Sequence, residues 1–478
     1  MNYRRILYTL GIVLCFEAAF MLLPLICALI YAEKEALSFL YSMLVSLAIG
    51  GILILQDGKN KNIYAKEGFV IVALSWIVMS IFGALPFVFS KTIPNFVYAL
   101  FETVSGLTTT GASILSDVEE LPRSILFWRS FTHWIGGMGV LVFLIAFLPM
   151  SSGSDLFLMK AESPGPSVSK LVPKVRTSAK ILYLIYLSLT LLQIIFLYFG
   201  DMNLFEAITH TFGTAGTGGF GIKNNSIAGY SPYIQNVITV FMILFGLNFT
   251  VYYLILIRHF KPLLKYEEVK AYFSVILISV AVICINCYHI YGDLLVTLRH
   301  AFFQVSSIIT TTGYSTVDFN QWPELSKTII IILMFIGACA GSTGGGIKIS
   351  RILIFIKGIG KEILLASHPN LVKKTRVDGK TVDHEVVRSV NVYMAAYLMV
   401  FVSSLLLISI NNFDFITNFT AVATTINNIG PGLSQVGPLS NFSIFSDFSL
   451  IILIFNMLIG RLEIFPMLVL FSIPTWKR

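Results

Sequence analysis

Long apolar stretches dominate the pattern of this 478-residue chain. The runs at 181–199, 237–257, 273–291 and 448–471 are each long enough to cross a bilayer, which takes roughly 18–20 apolar residues. Extended along the chain, the pattern predicts ten spans at about 6–31, 36–56, 68–90, 125–149, 180–200, 233–257, 271–291, 328–368, 389–411 and 448–472. The eighth is interrupted by "GACAGSTGGGIK" (337–348), whose glycines and small residues have poor helix propensity. Between spans lie four semi-apolar stretches too short to cross, each followed by a Gly/Thr/Asn-rich run: "FVYALFETVSGLTTTGAS" (96–113), "LFEAITHTFGTAGTGGFG" (204–221), "LVTLRHAFFQVSSIITTTGYST" (295–316) and "FITNFTAVATTINNIGPGL" (415–433). Aligned on one glycine each, they superpose Gly111, Gly218, Gly313 and Gly430.

A span, a re-entrant half-helix, a loop and a second span therefore occur four times, and a recurring unit of this kind governs the fold. The expected fold class is an all-α polytopic membrane protein with four membrane–pore-loop–membrane repeats around a central pore, plus two extra N-terminal helices. The divisions are 1–60 for the N-terminal pair and 61–150, 151–262, 263–370 and 371–478 for the repeats. Composition agrees: 56% hydrophobic and 12% charged residues with a mean hydropathy of +0.82, where soluble domains carry about 25% charge. The apolar stretch after "MNYRR" runs on to Tyr31 without a small-residue cleavage site, so a retained span is expected rather than a signal peptide.

Charge sets the orientation. Segments on the side of the N-terminus total +15 and those on the other side −7. Lys and Arg accumulate on the cytoplasmic face, so both termini are expected there, and the overall +8 is a topology signal with no implication of nucleic acid. The five cysteines all fall in spans. "CINC" (284–287) lacks a second pair or clustered histidines, so it reads as buried small residues rather than a metal or redox site.

Two motifs invite cofactor readings that fail on context. "GTGGFG" (216–221) has the dinucleotide spacing, but no strand precedes it and no acidic residue occurs between Glu206 and Glu267 to hold a ribose. In 337–348 the Lys is displaced from its Walker A position. The loops suit another task. Irregular backbone at membrane depth survives only where it is buried in protein or lines a water-filled cavity. A half-helix entering from outside aims about half a negative charge at the membrane centre, and carbonyl rings can replace an ion's hydration shell. The expected substrate is a dehydrated monovalent cation.

With "WRSFTHWIGGMGVLV" (128–142), "AESPGPSVSKLVPKVRTSAKILYLIY" (161–186), "AGSTGGGIKISR" (340–351) and "IGRLEIF" (459–465) in order among the repeats, the chain resembles the TrkH/TrkG/KtrB superfamily of potassium transporters, in its TrkH-like branch, over essentially its whole length. The resemblance implies K⁺ as the transported ion, no organic cofactor in this chain, no enzymatic activity, and a place in a bacterial inner membrane. It implies a filter of backbone oxygens from Thr109, Thr110, Gly216, Thr217, Thr311, Thr312, Asn428 and Ile429, each pair preceding Gly111, Gly218, Gly313 or Gly430. Repeat four departs with Ile429 where the other repeats have Thr, and fewer equivalent oxygens imply weaker discrimination among K⁺, Rb⁺ and Na⁺.

The resemblance also implies that the loop holding Gly341, Gly344, Gly345, Gly346 and Lys348 blocks permeation below the filter. Close helix packing by small residues is the competing reading. Arg461, deep in the last span, would act beside that loop as an electrostatic barrier, or else form a buried ion pair. Glu463 at i+2 points elsewhere. Arg129, His133, His210 and His300 read as packing residues, and Glu102 as a brace for a loop amide. Segment 348–388, with nine basic and four acidic residues, reads as a solvated loop touching anionic lipid or as a docking surface for an RCK-type nucleotide-binding regulatory subunit (TrkA-like). A homodimer is likewise implied. Rival readings are an intramembrane enzyme, which needs ligands or an acid/base pair that the spans lack, and a secondary transporter coupled to H⁺ or Na⁺ through Glu17, Glu102 or Glu463.

Overall fold

The computed structural model describes residues 1–56, 64–139, 175–259 and 265–476. Positions 140–149 of the fourth expected span, the tail of its signature (140–142) and 161–174 of the second signature lie outside the described residues. The protein is helical apart from one two-stranded hairpin among the described residues.

Among the described residues, six helical segments are long and apolar enough to cross a membrane: Tyr3–Ile30, Ala36–Ile54, Lys66–Phe89, Arg176–Tyr198, Glu267–Tyr291 and His384–Asn411. In chain order the helices behind them are α1 (Tyr3–Phe20), α2 (Leu22–Ile30) and α3 (Ala36–Ile54), then α4 (Ala65–Gly83) and α5 (Leu85–Phe89) opening repeat one. The first two segments form the N-terminal pair, and the other four open the repeats. Repeat one continues with pore helix α6 (Phe96–Leu107) and second helix α7 (Arg123–Met138). Repeat two has α8 (Val175–Tyr198), pore helix α9 (Leu204–Ala215), α10 (Pro232–Gly246) and α11 (Phe249–Leu256). Repeat three has α12 (Glu267–Tyr291), pore helix α13 (Leu294–Ile309), α14 (Glu324–Ile336) and α15 (Ile349–Ser367). After the hairpin β1 (Arg376–Val377) and β2 (Lys380–Thr381), repeat four has α16 (His384–Ile408), pore helix α17 (Phe415–Ile426), α18 (Asp447–Arg461) and α19 (Phe465–Phe471), with α20 (Ile473–Trp476) last.

The second helices correct one expectation. The spans at 233–257 and 448–472 are not continuous: α10 and α11 meet at 90°, and α18 ends before Glu463 and Ile464, both at positive φ (+59° and +66°). With α14 and α15 separated by 337–348, the second helices of repeats two, three and four are all broken, not the third alone; in repeat one α7 ends at Gly139, φ +79°. The causes are local. Asn248 caps α11 by accepting from the Thr250 amide at 2.9 Å, and Pro466 in the first turn of α19 cannot continue a preceding helix.

Each pore helix starts on an Asn or Asp. Asn95, Asn203, Asp293 and Asp414 accept from first-turn amides, satisfying the orphan donors at the outer end. The Thr417 hydroxyl, bonded to the Asp414 carboxylate at 2.6 Å, holds that carboxyl below the usual range. At 12 residues, α6, α9 and α17 reach about 18 Å. They are too short to cross a bilayer, and their carbonyl ends converge on the loops that follow them.

Candidate permeation site

All four pore helices end in one motif. The residue after the C-cap is left-handed: Thr109 (φ 55°), Thr217 (56°), Thr311 (59°) and Asn428 (55°). The next amide reaches back into the last turn, with Thr110 to Ser105 O, Gly218 to Gly213 O and Thr312 to Ser307 O at 2.8 Å, and Ile429 to Thr424 O at 2.9 Å. This is the Schellman pattern, where glycine usually occupies the left-handed site. A β-branched threonine there costs about 1–3 kcal/mol, so surrounding contacts must impose it. The Thr311 Oγ1 accepts from the Gly345 amide at 2.6 Å, the Thr217 hydroxyl donates to Gly216 O at 2.6 Å, and the Asn428 amide donates to Thr110 Oγ1 at 2.9 Å and Met457 O at 3.0 Å.

Two residues further on, the backbone turns left-handed again at Gly111 (78°), Gly219 (77°), Gly313 (85°) and Gly430 (98°). The sequence alignment on Gly218 is therefore one residue early. Gly216 caps α9 as Thr108, Thr310 and Asn427 cap theirs, so the repeat-two pair equivalent to Thr109–Thr110 is Thr217–Gly218 rather than Gly216–Thr217. The side chain at the second position is then Thr110, none at Gly218, Thr312 and Ile429.

These four residues close a ring. A Cβ on Gly111 would stand 1.9 Å from Gly218 O, one on Gly219 1.9 Å from Thr312 O, one on Gly313 2.0 Å from Ile429 O, and one on Gly430 2.8 Å from Thr110 O. Each glycine α-carbon thus packs on the carbonyl of the next repeat, and the cycle closes from repeat four to repeat one. On the face away from 337–348, a cavity of about 160 Å³ touches all four glycines, with Arg129 and Lys223 at its wall.

Buried polar groups brace the ring from outside. Arg129 Nε lies 2.5 Å from Glu102 Oε1, its Nη1 donates to Gly221 O at 2.8 Å, and its guanidinium sits 3.6 Å from the centre of the Phe220 ring. Glu102 also accepts from Ser113 Oγ and the Ile114 amide, the bracing role expected of it. His133 Nδ1 is 2.7 Å from Gly106 O and its Nε2 accepts from the Phe220 amide at 3.2 Å, which fixes a neutral ring with the proton on Nδ1. His210 Nδ1 meets Glu206 O, and His300 Nδ1 meets Thr316 Oγ1. Glu102→Ala leaves Arg129 buried without its carboxylate, and such a loss costs about 3–5 kcal/mol. A markedly lower thermal midpoint in detergent is expected; an unchanged midpoint would show the pair to be dispensable.

On one side of the ring, 337–348 contacts repeats two, three and four and is joined to repeat one through Arg461. A Cβ on Gly345 would lie 2.4 Å from Asn427 O, and one on Gly344 2.9 Å from Thr310 O, so the glycine run sits against two pore-helix ends. Cys339 donates to Gly246 O (3.1 Å) and Gly341 O accepts from the Phe249 amide (3.0 Å), joining the loop to the break in repeat two. Gly346 packs against Gly337 at the neck of the loop. The buried Lys348 ammonium donates to Gly344 O. Arg461 donates to Thr343 O (2.8 Å) in the loop and to Gly136 O (2.5 Å) and Gly137 O (2.8 Å) in repeat one.

Sequence reasoning misses two supports of this loop. Glu268, buried in the first turn of α12, accepts from the Ala340 amide at 2.6 Å. Arg351, in the first turn of α15, pairs with Glu463 and lies over the Tyr393 ring at 4.1 Å. The doubled "EE" at 267–268 and the i+2 offset of Glu463 from Arg461 are the available sequence signals.

Four short helices ending at one ring of backbone carbonyls, with two spans outside the repeats, form a polytopic membrane protein whose ring is chemically suited to a cation. The TrkH family, described as cation transport proteins, matches residues 36–476. The chain is 37% identical over 485 residues to the Trk system potassium uptake protein TrkH of Escherichia coli (strain K12), covering 100% of both chains. It is 34% identical over 485 residues to the Trk system potassium uptake protein TrkG of that organism, covering 100% of this chain and 99% of the relative. A crystal structure of the potassium transporter TrkH from Vibrio parahaemolyticus superposes with a TM-score of 0.89 at 33% identity over 100% of both chains. The chain belongs to the TrkH family.

Proposed function

We infer that this chain is the permeation subunit of a potassium-uptake system in a bacterial cytoplasmic membrane, with its basic face and both termini in the cytoplasm. K⁺ sheds water against the carbonyls of Thr109 and Thr110, Thr217 and Gly218, Thr311 and Thr312, and Asn428 and Ile429, and is held back by the loop at 337–348. The observation that carries this reading is the closed cycle of Thr110, Gly218, Thr312 and Ile429 oxygens against the four left-handed glycines. Four inward helix ends add about half a negative charge each, which favours a cation without selecting one. Relatives named for potassium uptake supply the ion. Pairing into a homodimer and control by an RCK-type nucleotide-binding partner on the basic face belong to the same reading and rest on the family resemblance.

Each repeat offers one left-handed glycine rather than an ordered carbonyl ladder, so selectivity should be modest. Rb⁺ uptake into proteoliposomes is expected to be competed strongly by K⁺ and measurably by Na⁺; complete Na⁺ exclusion contradicts the filter assignment. Arg461 places positive charge next to the loop. A unit charge about 8 Å from the ion in an effective dielectric of 20 raises its energy by about 2 kcal/mol, a factor of about 30. Arg461→Ala should therefore raise K⁺ conductance or shift selectivity; a folded variant with wild-type flux would leave Arg461 a structural tie between Thr343 and Gly136.

Coupling to H⁺ or Na⁺ is the second reading, and one residue favours it. Glu17 of α1 is buried, and neither of its carboxylate oxygens has a hydrogen-bond partner among the described residues. Glu102 and Glu463, by contrast, are paired with Arg129 and Arg351.

A further inference from the structure

The segment after the loop carries a feature that permeation does not use. The hairpin β1–β2 turns through Asp378 and Gly379, both left-handed (φ 54° and 74°), as a two-residue hairpin requires. It is tied to the helices beside it. Asp378 accepts from the Glu267 amide at 2.7 Å at the start of α12. Lys357 of α15 pairs with Glu267 and donates to Arg376 O at 2.8 Å. Two cavities, of about 450 and 650 Å³, lie along the segment leading into this hairpin and share Lys361, Lys373 and Lys374. One opens toward His384 and Arg388 in the first turns of α16, with Glu362 and Asp383 also at its wall. The other adds Lys357 and Arg376 and has no acidic residue in its lining.

The position suits one class of anion. Glu267 and His384 begin two of the apolar spans, so the cavities sit at the basic ends of membrane helices, at the depth of lipid headgroups. Beside them α15 exposes Ile356, Ile359 and Ile363 at 58%, 46% and 64%. These occupy one helix face by their i, i+3, i+7 spacing, and Val372 on the cavity wall is 91% exposed. A free anion would need only the lysines, whereas a phospholipid uses both the cationic cavity and the apolar strip.

We propose that these cavities bind the phosphate headgroup of an anionic phospholipid, with its acyl chains along Ile356, Ile359 and Ile363. We further propose that occupancy biases the loop at 337–348, because α15 is the direct continuation of that loop. The second statement rests on the permeation reading; the first does not. Ile349 donates to Ala338 O at 3.2 Å across the neck of the loop, so a displacement at the foot of α15 has a short path to the glycine run.

The test uses purified full-length protein without any regulatory subunit. Retention of phosphatidylglycerol against phosphatidylcholine is measured by native mass spectrometry for the wild type and for the triple variant Lys361→Gln/Lys373→Gln/Lys374→Gln. Each basic residue near an anionic surface contributes about 1 kcal/mol, so the preference for phosphatidylglycerol should fall by about tenfold or more in the variant. Equal preference in both proteins overturns the site, and displacement of the lipid by millimolar glycerol 3-phosphate reassigns it to a soluble anion. In proteoliposomes, K⁺ flux should change with phosphatidylglycerol content for the wild type and not for the variant. An identical lipid response in both overturns the link to the loop. Absence of flux in both counts against permeation and leaves the retention measurement to decide the site.

Discussion

Gly219→Ala lowers K⁺ flux at least about tenfold, whereas Gly221→Ala in the same loop leaves it near wild type. The two substitutions add the same methyl group two residues apart. At Gly219 the backbone is left-handed (φ +77°) and the new Cβ would lie 1.9 Å from Thr312 O, a rigid backbone atom of the next repeat. The carbonyl must move or the loop must refold, and a displacement of this size is enough to spoil coordination of a dehydrated ion. At Gly221 the nearest atom is Lys223 O at 3.4 Å, an ordinary contact. Flux in proteoliposomes, with monodispersity in detergent as the folding control, separates the two. Equal loss at both positions would mean that the whole loop is fragile and that the ring has no special standing.

Deleting Gly344–Gly346 acts in the opposite direction and raises K⁺ flux. The run sits under the pore-helix ends at Thr310 and Asn427, and its Gly345 amide binds Thr311 Oγ1, the side chain of the left-handed residue that follows the cap of α13. Removing it clears the path below the ring and takes away the carbonyl to which Lys348 donates. On the proposed gating, a milder change, Gly345→Ala, should move flux in the same sense; its Cβ would lie 2.4 Å from Asn427 O and must displace the loop. Unchanged flux in a folded deletion variant sinks the gate and leaves close helix packing as the account of the glycines.

The pore helices are legible in the sequence because their signals are local: an Asn or Asp cap, about three turns of apolar residues, and a Thr/Gly/Asn stop. The break at 337–348 is legible too, since it spans a dozen residues of poor helix formers. The breaks at Leu247–Asn248 and Leu462–Ile464 are not, because two or three residues inside an apolar stretch vanish in any hydropathy average. Asn248 and Pro466 are the only local marks. The register of repeat two fails for a different reason. "GTAGTGGFG" offers Gly216, Gly218 and Gly219 as candidates, and only backbone dihedrals and the contact with Thr312 O distinguish them. The set of interactions around Arg461, Arg351 and Glu463 joins repeats one, three and four, and spacing along one chain does not reveal which carbonyl or carboxylate each guanidinium will meet.

The dinucleotide-like "GTGGFG" thus has a structural account. Its glycines cap a half-helix at Gly216, supply a ring carbonyl at Gly218 and receive the next repeat's carbonyl at Gly219.

The central claim is that K⁺ passes through a carbonyl ring down its own electrochemical gradient. The most direct test is K⁺ flux into proteoliposomes of the purified full-length chain at fixed membrane potential, with and without an imposed pH gradient. The account predicts flux that follows the K⁺ gradient and is the same in both conditions. Flux that appears only with the pH gradient, and disappears in Glu17→Gln, would contradict it and establish coupled transport.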